Sequence, residues 1–457
     1  YLATFIAAFA RRPVRLPGWS RTALPLVALG VLGASKTDLD LTWVLVFHLG
    51  VFFLFAMYFH GRLADDRPHR HHLTEYFIWL AIGGAMGGLF NSLVAPAIFE
   101  RPFEYALVLA AGVAVIAPNP KRIDDEFFSP GLVAALLAVA GVGYLGLVGF
   151  WELDEPLWLA LAAAMSAVGF GIAWRWPRLE NAVCAALLVA GLPGFFEMHD
   201  VIDYERSFYA SYAVIDREID EGRYRKLSHG TTAHGLQWVD EERQDEPLGY
   251  HHPSGAVGQV FEEFPAERTG VLGLGAGAMA AYGTDERHIE FLEIDPAIET
   301  IAEEYFTYLD RCGDNCEVSI GDGRRLLEET DDDHFDLLFL DAYSSDSVPT
   351  HLLTREALET YFEKVDDDGV IVFNISNRYL DIEGVVAALA EDGGYAHRTR
   401  FHRPDSDQTL VYTAAYTAVA RNEDDLDALA DDERWKPSEP ADVVWTDDYG
   451  NIVTVLK

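Results

Sequence analysis

The sequence predicts an α-helical transmembrane bundle followed by an α/β domain on a mostly parallel sheet, with a small β-subdomain between them. Three observations carry this. Apolar runs recur through the first two hundred residues, and strands and helices alternate from Val271 onward. The charge also changes between the halves: residues 1–200 hold 13 Lys/Arg and 16 Asp/Glu, whereas residues 201–457 hold 21 and 57. The expected domains are 1–200 in the membrane, 201–262 as the β-subdomain and 263–457 as the nucleoside-binding domain.

The apolar runs are 1–10, 22–34, 41–59, 76–98, 104–117, 131–150, 157–174 and 182–196. The longest reach the roughly 20 residues that cross a bilayer. Small residues such as Gly83, Gly84, Gly87 and Gly88 suit close packing of membrane helices. Within the runs, His48 and Asn91 read as polar groups bonded to a neighbouring helix. The basic clusters Arg11/Arg12/Arg15/Arg21, Arg62/Arg67/Arg70, Lys121/Arg122 and Arg175/Arg178 mark the cytoplasmic loops. Counted strictly, these loops put the acidic half outside. The inside is favoured by the glycine turn and strand-end acids described below, which suit a nucleoside, and the sequence allows it if 182–196 re-enters at Gly191-Leu192-Pro193-Gly194. The expectation is therefore a multi-pass cell-membrane protein with its acidic domain in the cytoplasm. Tyr1 lies inside an apolar run, which reads as a truncated or processed start, and no signal peptide is visible.

The whole chain carries a net charge of −39. That argues against nucleic acid as a partner, because phosphates are repelled. Runs such as Asp331-Asp332-Asp333 and Asp366-Asp367-Asp368 read as solvated surface, consistent with a high-salt environment. Three cysteines make no disulfide framework. Cys312 and Cys316 read as two ordinary thiols, and no zinc site closes on them. The His69-Arg70-His71-His72 stretch reads as a wet loop at the headgroup surface. No metal is expected.

The second half opens with alternation, SFYASYAVIDREI, then a Glu221-Gly222 turn and YRKLSHG, a β-hairpin followed by a strand near Leu236 to Val239. The segments HGTTAHGLQW (229–238) and GYHHPSG (249–255) read as loops rich in site-forming residues. Strands are then expected near 271–275, 289–294, 317–321, 335–341, 369–375, 397–401 and 409–419, with helices between them. In such sheets ligands sit at the carboxyl ends of the strands. Glu293, Asp322, Asp341 and Asn374 all fall there.

The stretch from Thr269 to Asp295 organises this half. Gly273, Gly275 and Gly277 turn the first strand into a helix expected to begin near Ala278. A glycine backbone and a helix N-terminus suit close approach of a ligand. Glu293 and Asp295, at the end of the next strand, are placed to accept from ribose hydroxyls.

On these residues the second half, roughly 205–457, resembles the spermidine synthase family of aminopropyltransferases, and more closely its membrane-fused members. The segment HLTEYFIWLAIGGAMGGLFNSLVAP resembles the membrane part of that fused group. The resemblance implies a small β-domain on a Rossmann-like, methyltransferase-type core. It implies decarboxylated S-adenosylmethionine as co-substrate, with S-adenosylmethionine as the alternative, and a small amine such as putrescine as acceptor. By the same resemblance Glu293 holds the ribose, while Asp322 and Gly323 of IGDGR hold the adenine. Gln237 and Tyr250 line the junction of donor and amine, Asp341 is the catalytic acid, and Tyr343 and Asp346 face the amine. Two departures stand out. The family's DSSDP run is here Asp341-Ala342-Tyr343-Ser344-Ser345-Asp346, and the aspartate of its GGGDG loop is Ala278. Expected partners are the amine and the lipid bilayer, and a homodimer is left open as the assembly. Two rivals remain at this stage: a methyltransferase acting on a membrane-associated substrate, and a nucleoside-regulated transporter or sensor.

Overall fold

Neighbouring residues on the central strands point into different cores. Val271, Phe339 and Val372 pack on one side of the sheet with Phe291 and Tyr416. Leu272, Leu340 and Phe373 pack on the other with Leu358 and Val386. A strand buried on both faces needs apolar residues at every position, which is why LLFL (337–340) and VIVF (370–373) read as unbroken runs.

The computed structural model describes residues 1–34, 41–116, 181, 184–185, 188–189, 200–230, 232–342, 349–377, 379–405 and 408–457. The chain divides into two units, Tyr1–His199 and Asp200–Lys457.

In the first unit, helices Thr42–Asp65 and Arg70–Ile98 are long and apolar enough to cross a membrane. The shorter helices are Leu2–Phe9, Ser20–Ala34 and Phe103–Val115. Leu24, Phe55, Tyr58 and Leu109 join three of these helices in one apolar cluster. The polar His48 meets Tyr105 Oη through Nδ1 at 2.7 Å, a link between two helices. Asn91 falls in a π-helical turn, Phe90–Val94. Among the described residues nothing lies within 4 Å of a β-carbon placed on Gly83, Gly84, Gly87 or Gly88. Spans 131–150 and 157–174, most of 182–196, and the basic residues Lys121, Arg122, Arg175 and Arg178 lie outside the described residues.

The second unit begins with four antiparallel strands in sequence order: β1 Val201–Arg206, β2 Ser211–Ile219, β3 Gly222–His229 and β4 Thr232–Trp238. Two sequence readings are corrected here. The alternating stretch is preceded by an additional strand, β1, and the segment 229–238 read as a loop is mostly β4. Its glycine and polar content hid the strand, because Gly235 and the hydroxyl residues weaken the alternating apolar signal.

An eight-stranded sheet follows, in the order β12-β10-β11-β9-β8-β5-β6-β7. The strands are β5 Arg268–Leu272, β6 His288–Glu293, β7 Cys316–Ile320 and β8 Phe335–Leu340. They continue with β9 Val365–Asn374, β10 Ala396–His402, β11 Ala414–Ala420 and β12 Trp435–Lys436. Strands β9, β8, β5, β6 and β7 run parallel, whereas β11, β10 and β12 add antiparallel pairs, so the sheet is mixed. Connecting helices start on side-chain caps: Asp322 accepts from Arg325 N, Thr354 from Ala357 N and Asp381 from Gly384 N.

Two further expectations are overturned. The helix after the glycine turn is a five-residue 3₁₀ turn, Ala278–Tyr282, too short to present an α-helical N-terminus. Cys312 and Cys316, read as free thiols, form a disulfide. The tight Gly313–Asn315 turn between them brings the end of helix Tyr308–Cys312 back to the start of β7.

Candidate active site

The carboxyl ends of the parallel strands open into a cleft of about 960 Å³ within the second unit. Strand β5 delivers the glycine turn, β6 delivers Glu293, β7 delivers Asp322 and Gly323, β8 delivers Asp341 and β9 delivers Asn374. Between β5 and β8 the chain's strand order reverses direction, the point where parallel sheets leave a crevice.

The glycine turn is shaped by its own neighbours. A β-carbon on Gly273 would lie 2.6 Å from the Asp341 carbonyl oxygen, and one on Gly275 would lie 2.3 Å from that of His234. Both residues also have positive φ, 97° and 57°. The turn thus threads between the end of β8 and strand β4, and Ala276 N donates to His234 O at 3.1 Å. Gly277 faces Leu309 and Tyr308, and is not among the cleft-lining residues. Ala278 is 2% exposed and belongs to the core rather than to the cleft wall.

Glu293 is buried and lines the cleft. Its carboxylate accepts from Leu274 N at 2.9 Å and from Asp295 N at 2.8 Å. Burial raises its pKa against the opposing pull of those N–H groups. The residue therefore fixes the glycine turn while presenting an acceptor to the cleft. Asp295, grouped with it from the sequence, does not reach the cleft. It caps helix Pro296–Tyr305 through Ala297 N and accepts from Tyr212 Oη at 2.8 Å and from Ser207 Oγ. Burial, then the adjacent Asp295, raises the Tyr212 pKa.

Asp341 has both oxygens engaged. Asn374 Nδ2 donates to one at 2.6 Å, and His251 Nε2 lies 2.7 Å from the other. An ionised carboxylate has about four lone-pair directions, so two remain free. Tyr250 stands beside His251, its ring edge-on to Tyr412 at 5.3 Å. The loop bearing both is anchored from behind. Tyr282 Oη donates to His251 O at 2.7 Å, and the buried Arg400 donates to Ser254 O at 2.9 Å and Gly255 O at 3.1 Å.

Gln237, expected at the junction of donor and amine, is turned away. Its amide donates to Thr307 Oγ1 at 2.9 Å and accepts from Thr307 N at 3.0 Å, and it does not line the cleft. Tyr343 and Asp346 lie outside the described residues. Asp322 lines the cleft, caps its helix and lies 3.7 Å from His351 Nε2.

The cleft also holds titratable residues not singled out from the sequence, among them His251, His229, His234 and Lys226. Opposite Leu227, strand β4 carries an extra residue, so its pairing skips from Gly235 to Ala233. His234 is that bulged residue, and bulges of this kind re-aim side chains at sites. Its ring stacks on His229 at 5.9 Å. Burial, aided by His229 and opposed by Asp341, lowers the His234 pKa to about 4, so the ring is neutral. The richness of both segments in histidine was the available signal, but only the register shift aims the rings. Among the described residues, no group of three or more His, Cys, Asp or Glu is arranged to hold a metal.

No family model matches the chain. It is 33% identical over 123 residues to the polyamine aminopropyltransferase of Vibrio vulnificus (strain CMCP6), which covers 26% of this chain and 40% of that protein. The chain thus spans less than half the length of that relative. Similar solved structures include spermidine synthase from Thermotoga maritima, with TM-score 0.37 and 16% identity over 51% of this chain and 76% of that one. A probable spermidine synthase from Corynebacterium glutamicum gives TM-score 0.40 and 13% identity over 53% and 91%. Neither score reaches 0.5, so the weight rests on the sequence likeness, which makes the chain similar, over 26% of its length, to a polyamine aminopropyltransferase.

Proposed function

We propose that this chain is a membrane-anchored aminopropyltransferase that moves an aminopropyl group from decarboxylated S-adenosylmethionine to an amine. The observation carrying this is the pairing, in one cleft, of a buried acceptor at the end of β6 with a doubly held carboxylate at the end of β8.

Glu293 would accept from the ribose hydroxyls and Asp322 from the adenine amino group, with the glycine turn beneath the nucleoside. Tyr250 and Asp341 would meet the acceptor amine. The amine nitrogen attacks the carbon next to the sulfonium. As the C–N bond forms, the C–S bond breaks and its electron pair returns to sulfur, leaving methylthioadenosine. The displaced proton passes to a free lone pair of Asp341, whose orientation His251 and Asn374 fix. The donor carries its own leaving group, so the chemistry asks nothing further of the protein than binding, alignment and a base.

Helices Thr42–Asp65 and Arg70–Ile98 would anchor the protein, with the second unit on the cytoplasmic side, where the nucleoside is supplied. A second reading, a methyltransferase using S-adenosylmethionine, draws on the glycine turn, which holds no carboxylate from Gly273 to Ala281. Purified protein given each donor with an amine panel decides between the two. Products heavier by an aminopropyl group support the first reading, and methylated products overturn it.

A further inference from the structure

Lysine is scarce in this chain, and the second unit has only Lys226, Lys364, Lys436 and Lys457. Two of these, Lys226 and Lys457, line the cleft. Lys364 is paired with Asp332 at 2.6 Å, and Lys457 donates to Asn377 O at 2.9 Å. Lys226 is different. It is partly buried, and among the described residues no carboxylate lies within ion-pair distance of its ammonium. This is notable in a half-chain with 57 Asp/Glu, where the neighbouring Arg225 and Arg217 each have an aspartate partner. Burial, then repulsion from Arg217, lowers the Lys226 pKa, as expected of a cation with no counter-charge.

Its place on β3 is equally specific. Lys226 pairs with Leu236 of β4, two residues after Tyr224 on the same face. That face belongs to the cluster of Tyr224, Leu236 and Tyr412, and Tyr412 packs on Tyr250. Lys226 thus lines the cleft from the strand face whose tyrosine cluster reaches Tyr250. A polyamine carries ammonium groups at both ends, and its far end would meet this unneutralised cation. An anionic far end would neutralise it. The neutral rings of His229 and His234, each with a buried nitrogen that has no partner among the described residues, add polar groups along the same strand pair.

We propose that the acceptor of this enzyme is an amine that also bears a carboxylate, with Lys226 as the residue that selects it. The inference rests on the aminopropyltransferase reading. The transfer itself is unchanged: the amino end attacks, sulfur leaves with the electron pair, and the proton goes to Asp341. The carboxylate stays bound to Lys226.

The test uses full-length protein in detergent with methylthioadenosine present, and compares two acceptors of equal length, 4-aminobutyrate and 1,4-diaminobutane. Calorimetry gives the ratio of their affinities for wild type, Lys226→Met and Lys226→Glu. Methionine keeps the packed stem and removes the charge. Wild type should favour the amino acid, Lys226→Met should lose that preference by about ten-fold, and Lys226→Glu should reverse it. A wild type that prefers the diamine, with a ratio that Lys226→Met leaves unchanged, overturns the inference. The ratio is read from binding, so it decides the point whether or not turnover occurs. Product masses address the underlying reading separately: transfer to the diamine alone keeps the aminopropyltransferase and removes the carboxylate acceptor.

Discussion

Gly275 lies so close beneath His234 that a β-carbon on it would sit 2.3 Å from the His234 carbonyl oxygen. Strand β4 and the glycine turn are therefore in backbone contact, and the two walls of the cleft are set against each other there. Gly275→Ala combines this collision with a φ of 57°, and should cost roughly 1–3 kcal/mol of stability. Gly277→Ala has a similar φ but would meet Leu309 only at 3.5 Å, an ordinary contact, so its loss should be smaller. Thermal unfolding of both variants checks the order.

Asp341→Asn retains shape but offers one oxygen to two donors, Asn374 Nδ2 and His251 Nε2. Turnover should fall by roughly 10²–10⁴-fold, with methylthioadenosine affinity largely kept. Single-turnover product analysis beside calorimetry separates the two effects. Near-normal turnover would leave Asp341 as a strand-end acid that only orients His251.

Glu293 does more than the sequence implied, since its two backbone bonds hold the glycine turn. Glu293→Ala would strand two N–H groups, so binding and stability should fall together, by roughly 1–3 kcal/mol for each group left unpaired. Glu293→Gln keeps one acceptor and should lose less.

The raised Glu293 pKa has a sign for each property. The folded protein holds this proton where the unfolded chain has released it. Its contribution to stability is therefore present below the ordinary carboxyl range and is lost as pH rises through the folded value. Under the proposed role of Glu293, ribose binding should run the other way, because hydroxyl donors need the ionised acceptor. Methylthioadenosine affinity should climb as pH rises through that same value. Calorimetry across the acid range reads it, and the climb should be absent in Glu293→Gln.

The Cys312–Cys316 disulfide should leave a single reactive thiol, Cys184, in denatured unreduced protein, and three after reduction. Closing so short a loop stabilises by about 2 kcal/mol in the chain-entropy description, which sets the expected loss on reduction. Mass-tagging of thiols and unfolding with and without reductant measure both.

Much of the α/β unit was legible because buried parallel strands announce themselves. LLFL (337–340) has no polar residue to confuse the reading, and Asp322 and Glu293 fall at strand ends by simple counting. The small sheet was harder. In β4, a bulge and Gly235 interrupt the period of two, so a strand with five buried residues passed for a loop. Gln237 and Asp295 illustrate a different limit. Each has the right chemistry in the right stretch, yet each spends its polar atoms on a neighbour that sequence distance conceals, Thr307 for one and Tyr212 for the other. The Asp341–His251 contact joins residues 90 apart, and no local pattern reports such a meeting.

The two carbonyls that fix the end of the histidine loop wait for a guanidinium about 145 residues further along the chain. Loop closure over such a separation is slow relative to local contacts, and on an emerging chain it is impossible until β10 has been made. Strands β5 to β8 lie between those partners, so the strand ends that carry Glu293, Asp322 and Asp341 can assemble while the loop, held at His251 O by Tyr282, still lacks its guanidinium at Ser254 and Gly255. The strand-end wall thus precedes the full anchoring of the histidine loop. A chain halted before Ala396 would own the first without the second.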